Sequence, residues 1–185
     1  MRNKIPEGWN QHKLGSFIKN LPKSKLPSSE SHPNGYYDFY VCSDKVLKSF
    51  HNEHNSQSIL FSTGGEAAVH FATENYSFST DVWATKFEGE ILNEYAFHLL
   101  KKNIKTINYL GFQGSGIRHL DKSFIAELEF SIPPYPEQNK IASILTSADD
   151  VIRSIFKKIN KLQDLKVATM TELLTKGIGH KNFKD

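Results

Sequence analysis

From Ile141 to Leu173 apolar residues return every three or four positions. One row is Leu145, Ile152, Ile159, Lys166 and Leu173, and a second is Ile141, Ala148, Ile155, Leu162 and Thr169. Together they give the a/d spacing of a coiled coil, widened by Ile144, Val151 and Leu165 on its flanks. No Gly or Pro falls between Glu137 and Lys176, so one helix is predicted over residues 136–178. Pro136 suits the first helical position, and Glu137 sets negative charge at the positive end of the dipole. At the other end Lys176 sits in the last turn, Gly177 can take the left-handed C′ position, and Ile178 is placed to fold back on Leu173 or Leu174. Such a helix is about 60 Å long at 1.5 Å per residue.

Before residue 136 the pattern is shorter in period. Trp9, Leu14, Phe17 and Ile18 anchor an entry segment, and Lys19 to Gly35 is a polar loop rich in Lys, Pro, Ser and Asn. Strands are predicted at Tyr36 to Val41, Ser58 to Ser62, Ala67 to Ala72, Tyr76 to Ser79 and Val82 to Phe87, with a turn at Thr63 to Glu66. Asn93 is the predicted N-cap of a helix that runs to about Ile104. A strand at Ile107 to Leu110, a glycine-rich loop from Gly111 to His119, a short helix from Asp121 to Ala126 and a strand from Leu128 to Ile132 complete the reading. The expected fold is therefore a mixed α+β domain over residues 1–135, then the long helix over 136–178 and a tail over 179–185. A domain of about 135 residues has a radius of gyration near 14 Å. A helix of that length overhangs it, so its apolar seam is better covered by a second copy than by its own domain.

Aromatic residues make up 12% of the chain and nearly all precede residue 136, as an ordered core requires. A single cysteine, Cys42, excludes an internal disulfide framework. With no leader-like segment and no apolar run near eighteen residues, a cytoplasmic protein with no membrane association is expected. The net charge is +3, and its distribution says more than its total. Residues 1–135 hold fourteen Lys and Arg against fourteen Asp and Glu. Within residues 1–26, however, Arg2, Lys4, Lys13, Lys19, Lys23 and Lys25 face Glu7 alone. Such a stretch can meet phosphate, or be a solvated basic face.

Few residues suggest chemistry of the chain's own. Ile132-Pro133-Pro134-Tyr135 has the form of an amino-methyltransferase motif, but that motif begins with a hydrogen-bonding residue and Ile132 cannot serve. Gly111, Gly114 and Gly116 lack dinucleotide-fingerprint spacing, and no P-loop Lys follows them. His51-Asn52-Glu53-His54 is not a zinc motif and reads as an exposed polar loop. No metal or cofactor site and no catalytic residue are expected. The loop ending in Arg118 can approach a phosphate through its freed backbone N–H groups, with Gln113, Ser115, Arg118 and His119 as donors for base edges or backbone.

Taken together, these segments resemble half of a specificity subunit of a type I restriction-modification enzyme. The resemblance rests on Ile5-Pro6-Glu7-Gly8-Trp9 with Leu14-Gly15, on Ile59 to Gly65, on Arg118-His119-Leu120, and above all on Ile132-Pro133-Pro134-Tyr135-Pro136-Glu137-Gln138 with Ile141-Ala142 and Leu145. The ending Leu173-Leu174-Thr175-Lys176-Gly177 belongs to the same pattern. It implies a non-catalytic reader of one half of a bipartite double-stranded DNA site. Methyltransferase subunits that bind S-adenosylmethionine and restriction subunits would dock on it. The DNA-facing residues on that view are Lys23, Lys25, Ser62, Thr63, Lys86, Gln113, Ser115, Arg118 and His119. Ile141, Leu145, Ala148, Ile152, Ile155, Ile159, Leu162 and Leu173 would form an antiparallel homodimeric coil. Family members usually carry two recognition domains and two coils, and this sequence has one of each. It is then a half-subunit that pairs with its own copy, or a piece of a longer chain. A coiled-coil protein-interaction module without DNA binding is the alternative that the balanced charge of residues 1–135 leaves open.

Overall fold

The computed structural model describes residues 5–179, so Arg2, Lys4 and the tail beyond Gly179 lie outside the described residues. Packing divides the chain into one unit that ends at Ala142 and a second that begins at Ser143. Four strands form the central antiparallel sheet: β2 (Ile18–Asn20), β8 (Val82–Phe87), β5 (Ser58–Ser62) and β6 (Val69–Ala72), adjacent in that order. Strand β5 is buried along its whole length, and its side chains serve two cores because successive residues point to opposite faces. Ile59 and Phe61, with Trp83 and Phe87 from β8, face a larger core, and Leu60, with Val82 and Ala84, faces a smaller one.

The smaller core is closed by a second sheet of β4 (Leu47–Ser49), β3 (Tyr37–Tyr40) and β7 (Tyr76–Phe78), in which β3 and β7 run parallel. Tyr40, Tyr76 and Phe78 fill the space between the sheets. His54 stacks on Phe78 with ring centroids 4.6 Å apart, and His70 Nε2 donates to Ser43 O at 2.8 Å. Neither histidine of the His51–His54 stretch belongs to a metal cluster, for none exists among the described residues. His54 is a half-buried ring and not part of an exposed loop; His51 pairs with Glu30 at 2.9 Å.

The larger core is covered by helices α1 (Asn93–Lys102) and α2 (Ile104–Leu110), both of which differ from the sequence expectation. Asn93 does not cap α1. Its side chain instead bonds both the N–H (2.8 Å) and the carbonyl (3.0 Å) of Phe87, closing the end of β8. Residues 107–110 are helical where a strand was expected. A short apolar run with a β-branched residue fits either state, and the deciding fact is that Ile107 alone is buried there. Asn103 marks the break between the helices, with its Nδ2 donating to Leu99 O at 2.7 Å.

Strands β9 (Phe112–Gln113) and β10 (His119–Leu120) pair across the glycine-rich loop, and α3 (Lys122–Glu127) follows, capped by Asp121, whose carboxylate accepts Ser123 N–H at 2.9 Å. Strand β11 (Glu129–Ile132) then pairs with β1 (Asn10–Lys13), matching Asn10 to Ile132 and Lys13 to Glu129. β1 is polar and mostly exposed, so no hydrophobic alternation announces it. Helix α4 (Tyr135–Lys176) starts one residue before Pro136 and runs for 42 residues. Gly177 takes φ +70° after its last turn and donates to Leu173 O at 2.9 Å. Ile178 does not fold back: it is 86% exposed.

The root of α4 is fixed by one side chain. Gln138 is fully buried. Its Oε1 accepts Leu92 N–H at 2.8 Å, and its Nε2 donates to Glu90 O at 2.7 Å and Pro133 O at 2.9 Å. Beside it Trp9 Nε1 donates to Glu137 Oε2 at 3.2 Å, while Ala142 and Ile141 pack on the larger core. Among the described residues no helix is long and apolar enough to cross a membrane.

Gln138→Glu keeps the shape but replaces the two-bond donor by an acceptor against two carbonyls, and should cost about 3 kcal/mol or more. Urea titration followed by tryptophan fluorescence reads this directly. Burial lowers the pKa of His54 and of His70, in the latter against the bond to Ser43, from the ordinary 6.5. The unfolded chain therefore binds more protons below that value, and stability, complete above pH 6.5, should decline as pH falls beneath it. His70→Gln, which can still donate to Ser43, should flatten the dependence of Tm on pH between 5 and 7.

Candidate nucleic-acid interface

Three loops that are far apart in sequence meet at one end of the central sheet. Leu21 N–H donates to Ala84 O at 2.9 Å, which carries the chain after β2 along β8 towards Lys23. The turn after β5 is joined to β10 by Leu120 N–H on Thr63 O (3.0 Å) and by Gly65 N–H on Arg118 O (2.9 Å). Between these segments lies a cleft of about 520 Å³ whose walls include Asn20, Lys23, Thr63, Trp83, His119 and Lys122. Its floor is ordered. Trp83 Nε1 donates to Asn20 Oδ1 at 2.7 Å, and Lys122 Nζ stands 5.1 Å from the Trp83 ring centroid. Lys23, Lys122 and His119 supply donors, Asp81 is the acid on the wall, and Thr63 Oγ1 donates to the carbonyl of Asp81 at 2.6 Å. Such a surface can hold a phosphodiester with its ammonium groups and present amide and imidazole edges to bases.

The expected residues separate into groups on this geometry. Lys23, Thr63 and His119 come together in the cleft. Lys25 is exposed in the same loop as Lys23. Gln113 pairs with His119 across the β9–β10 hairpin, and Ser115 sits at its tip; both are exposed. Gly114, next to the tip, has φ +135°, and a Cβ there would lie 2.9 Å from Ile117 O, so the turn requires glycine. Lys86 lies three residues along β8 from Trp83, half-buried and opposite Lys19, outside the cleft.

Two residues have other work. Ser62 is only 2% exposed, and its hydroxyl donates to Glu66 O (2.6 Å) and accepts Ala68 N–H (2.8 Å), so it shapes its turn and offers nothing to a ligand. Arg118 is half-buried, and its guanidinium donates to Asn108 O (2.9 Å) and Oδ1 (3.1 Å). Asn108 Oδ1 also accepts Ala67 N–H at 2.8 Å, so Arg118 ties the hairpin to α2 and to the start of β6. Sequence reasoning missed Asn20, Trp83 and Lys122. Nothing in the chain links residues so far apart before the β2–β8 pairing is known.

On α4 the expected seam residues Leu145, Ala148, Ile152, Ile155, Ile159, Leu162 and Leu173 are all exposed, the large ones between 41% and 64%. Ile141 is half-buried against the larger core and belongs to the helix root, not to a free seam.

A family model described as the type I restriction modification DNA specificity domain matches residues 6–164. The chain is similar to the specificity subunit of the type I restriction enzyme MjaVIII of Methanocaldococcus jannaschii, 29% identical over 195 residues, which cover 98% of this chain and 45% of that protein. It is 34% identical over 88 residues to the putative MjaX specificity subunit of the same organism, across 47% of this chain and 20% of that protein. In fold it is similar to the S subunit of a type I restriction-modification system from M. genitalium (TM-score 0.76, 20% identity, 95% of this chain and 47% of that one). The HsdS subunit from Thermoanaerobacter tengcongensis gives a TM-score of 0.58 at 13% identity, over 96% and 47%. The chain thus spans about half the length of the relatives it matches along nearly all of its own.

If Arg118 is a tether, Arg118→Lys and Asn108→Ala should both speed amide exchange over residues 112–120 in the free protein. A residue engaged only by DNA would leave that exchange unchanged in both variants.

Proposed function

The chain belongs to the family of type I restriction-modification DNA specificity domains, and from that premise we propose that it is the non-catalytic reader of one half of a bipartite DNA site. The observation that carries this reading is the cleft at the end of the central sheet, where Lys23, Thr63, His119 and Lys122 converge around Trp83. Lys23 and Lys122 hold the backbone of a duplex there, and Asn20, Thr63 and His119 face base edges. The exposed hairpin tip with Gln113 and Ser115, and Lys25 beside Lys23, extend the contact.

The exposed stripe of α4 supports a second part of the proposal: two copies pair through antiparallel helices into a homodimer. Left in water, thirteen large apolar side chains between Ile144 and Leu174 stay hydrated, at a cost of about 25 cal/mol per Å² relative to burial. Twofold symmetry then makes the target an interrupted palindrome. The dimer recruits the methyltransferase subunits, which bind S-adenosylmethionine, and the restriction subunits, and it works in the cytoplasm. Its own contribution is the choice of sequence.

Selection from randomised duplexes, with the cognate methyltransferase subunit present, should return an interrupted palindrome. Lys23→Ala and Lys122→Ala should weaken all sequences alike, and His119→Ala should relax one base pair at a cost of about 1–3 kcal/mol. Ile159→Lys should give a monomer in sedimentation. Dimers that select no sequence would favour an interaction module without DNA binding.

A further inference from the structure

Between Asp150 and Asp164 helix α4 carries Arg153, Lys157, Lys158 and Lys161 and no acidic residue. All four are exposed, and Arg153 pairs with Asp150 at 3.2 Å. With Leu145 as an a position and Ala148 as a d position, Lys157 falls at f, Lys158 at g and Lys161 at c. These three positions share one flank of the helix, because residues three and four apart are neighbours on its surface. Arg153, at b, lies on the other flank, with Asp149 and Phe156 at e.

We propose that Lys157, Lys158 and Lys161 form, with the same residues of a second copy, a cationic platform that holds the phosphate backbone of the duplex between the two half-sites. The inference rests on the homodimeric reading above. In an antiparallel pair the a residues of one helix pack beside the d residues of the other, and setting Ile159 and Ile152 beside the partner's Ile155 and the partner's Leu162 puts Lys157 opposite the partner's Lys157. The two Leu145 residues are then about 36 Å apart along the axis, and all six lysines lie within about 6 Å of the dyad in that direction. The dyad is perpendicular to the plane of the two helices, which leaves the c and g flanks of both on the same broad face of the pair. Six ammonium groups gathered there repel one another, and an anion relieves that repulsion.

Symmetry names the anion. A twofold reader places its dyad on the twofold axis of its palindrome, so the middle of the spacer is the part of the DNA that passes the middle of the coil. Duplex DNA offers there one negative charge per about 1.7 Å of axis. The opposite broad face, with Asp149, Phe156 and Met170 beside Arg153, has no comparable cluster of cations.

The test uses the full chain in which all three lysines are changed together, Lys157→Gln, Lys158→Gln and Lys161→Gln, since Gln keeps helix propensity. Its affinity for a duplex with both half-sites is measured against salt. The variant should still sediment as a dimer and prefer the same half-sites, while its log–log salt slope becomes shallower by up to about five if all six lysines engage phosphates. A duplex with methylphosphonates at the centre of the spacer should lower the slope of the unaltered protein to that of the variant, and leave the variant unmoved. Equal slopes on the native duplex overturn the platform, and so does a difference that survives the neutral spacer. A variant with an unchanged slope that no longer captures the methyltransferase subunit would make the patch a protein surface and overturn the proposal likewise. Failure of the unaltered chain to dimerise or to select a palindrome would instead remove the homodimeric reading, and the platform with it.

Discussion

The carboxamide of Gln138 fixes where the long helix begins. A fully buried amide is tolerated only with its donors and acceptor satisfied, and here the chain around it provides all three partners from Glu90, Leu92 and Pro133. Those partners are fixed in turn. Pro133 follows the β1–β11 pair that joins the two ends of the domain, and Leu92 leads into α1 on the larger core. The Pro-Pro-x-x-Glu-Gln stretch is therefore a joint: the prolines stop a strand, Glu137 accepts the Trp9 indole, and Gln138 locks the first turn of α4.

Beyond the joint, the helix obeys a different constraint. From residue 147 to residue 176 no side chain is buried, yet its apolar positions keep a heptad beat. Heptad spacing of apolar residues is the general pattern of coiled-coil helices. The same heptad frame sorts the charges, leaving Lys157, Lys158 and Lys161 on one flank without an intervening acid. The spacing of the exposed apolar residues and the grouping of these lysines are thus two consequences of one periodicity.

The cleft at the end of the central sheet is built on another principle. Its residues sit on loops, and their grouping depends on long-range pairing between β2 and β8 and between the Thr63–Gly65 turn and β10. A single residue type can take either role on such a scaffold. Arg118, a natural reader of bases, supports the hairpin through Asn108, while Lys122, at the start of a short helix, stands over Trp83 at the cleft. Balanced charge over the first 135 residues is compatible with a cleft in which two lysines and a histidine face one aspartate, because placement and not sum sets the local field.

By itself the sequence determined the mixed α+β class, the strands with dense apolar or aromatic content such as Ser58 to Ser62 and Val82 to Phe87, and the start, length and stop of α4. Each of these is a local pattern of period two or three to four, or a local breaker such as Pro136 or Gly177. It also carried the family resemblance, through the joint at residues 132–138. Only the tertiary structure decided that polar Asn10–Lys13 is a strand, that Ile107–Leu110 is helical, that Ser62 and Arg118 are internal supports, and that Asn20, Trp83 and Lys122 share one cleft. The physical reason is the same in each case. These assignments depend on partners distant in sequence, and a hydrogen bond or a burial environment supplied from afar leaves no periodic trace in the segment that receives it.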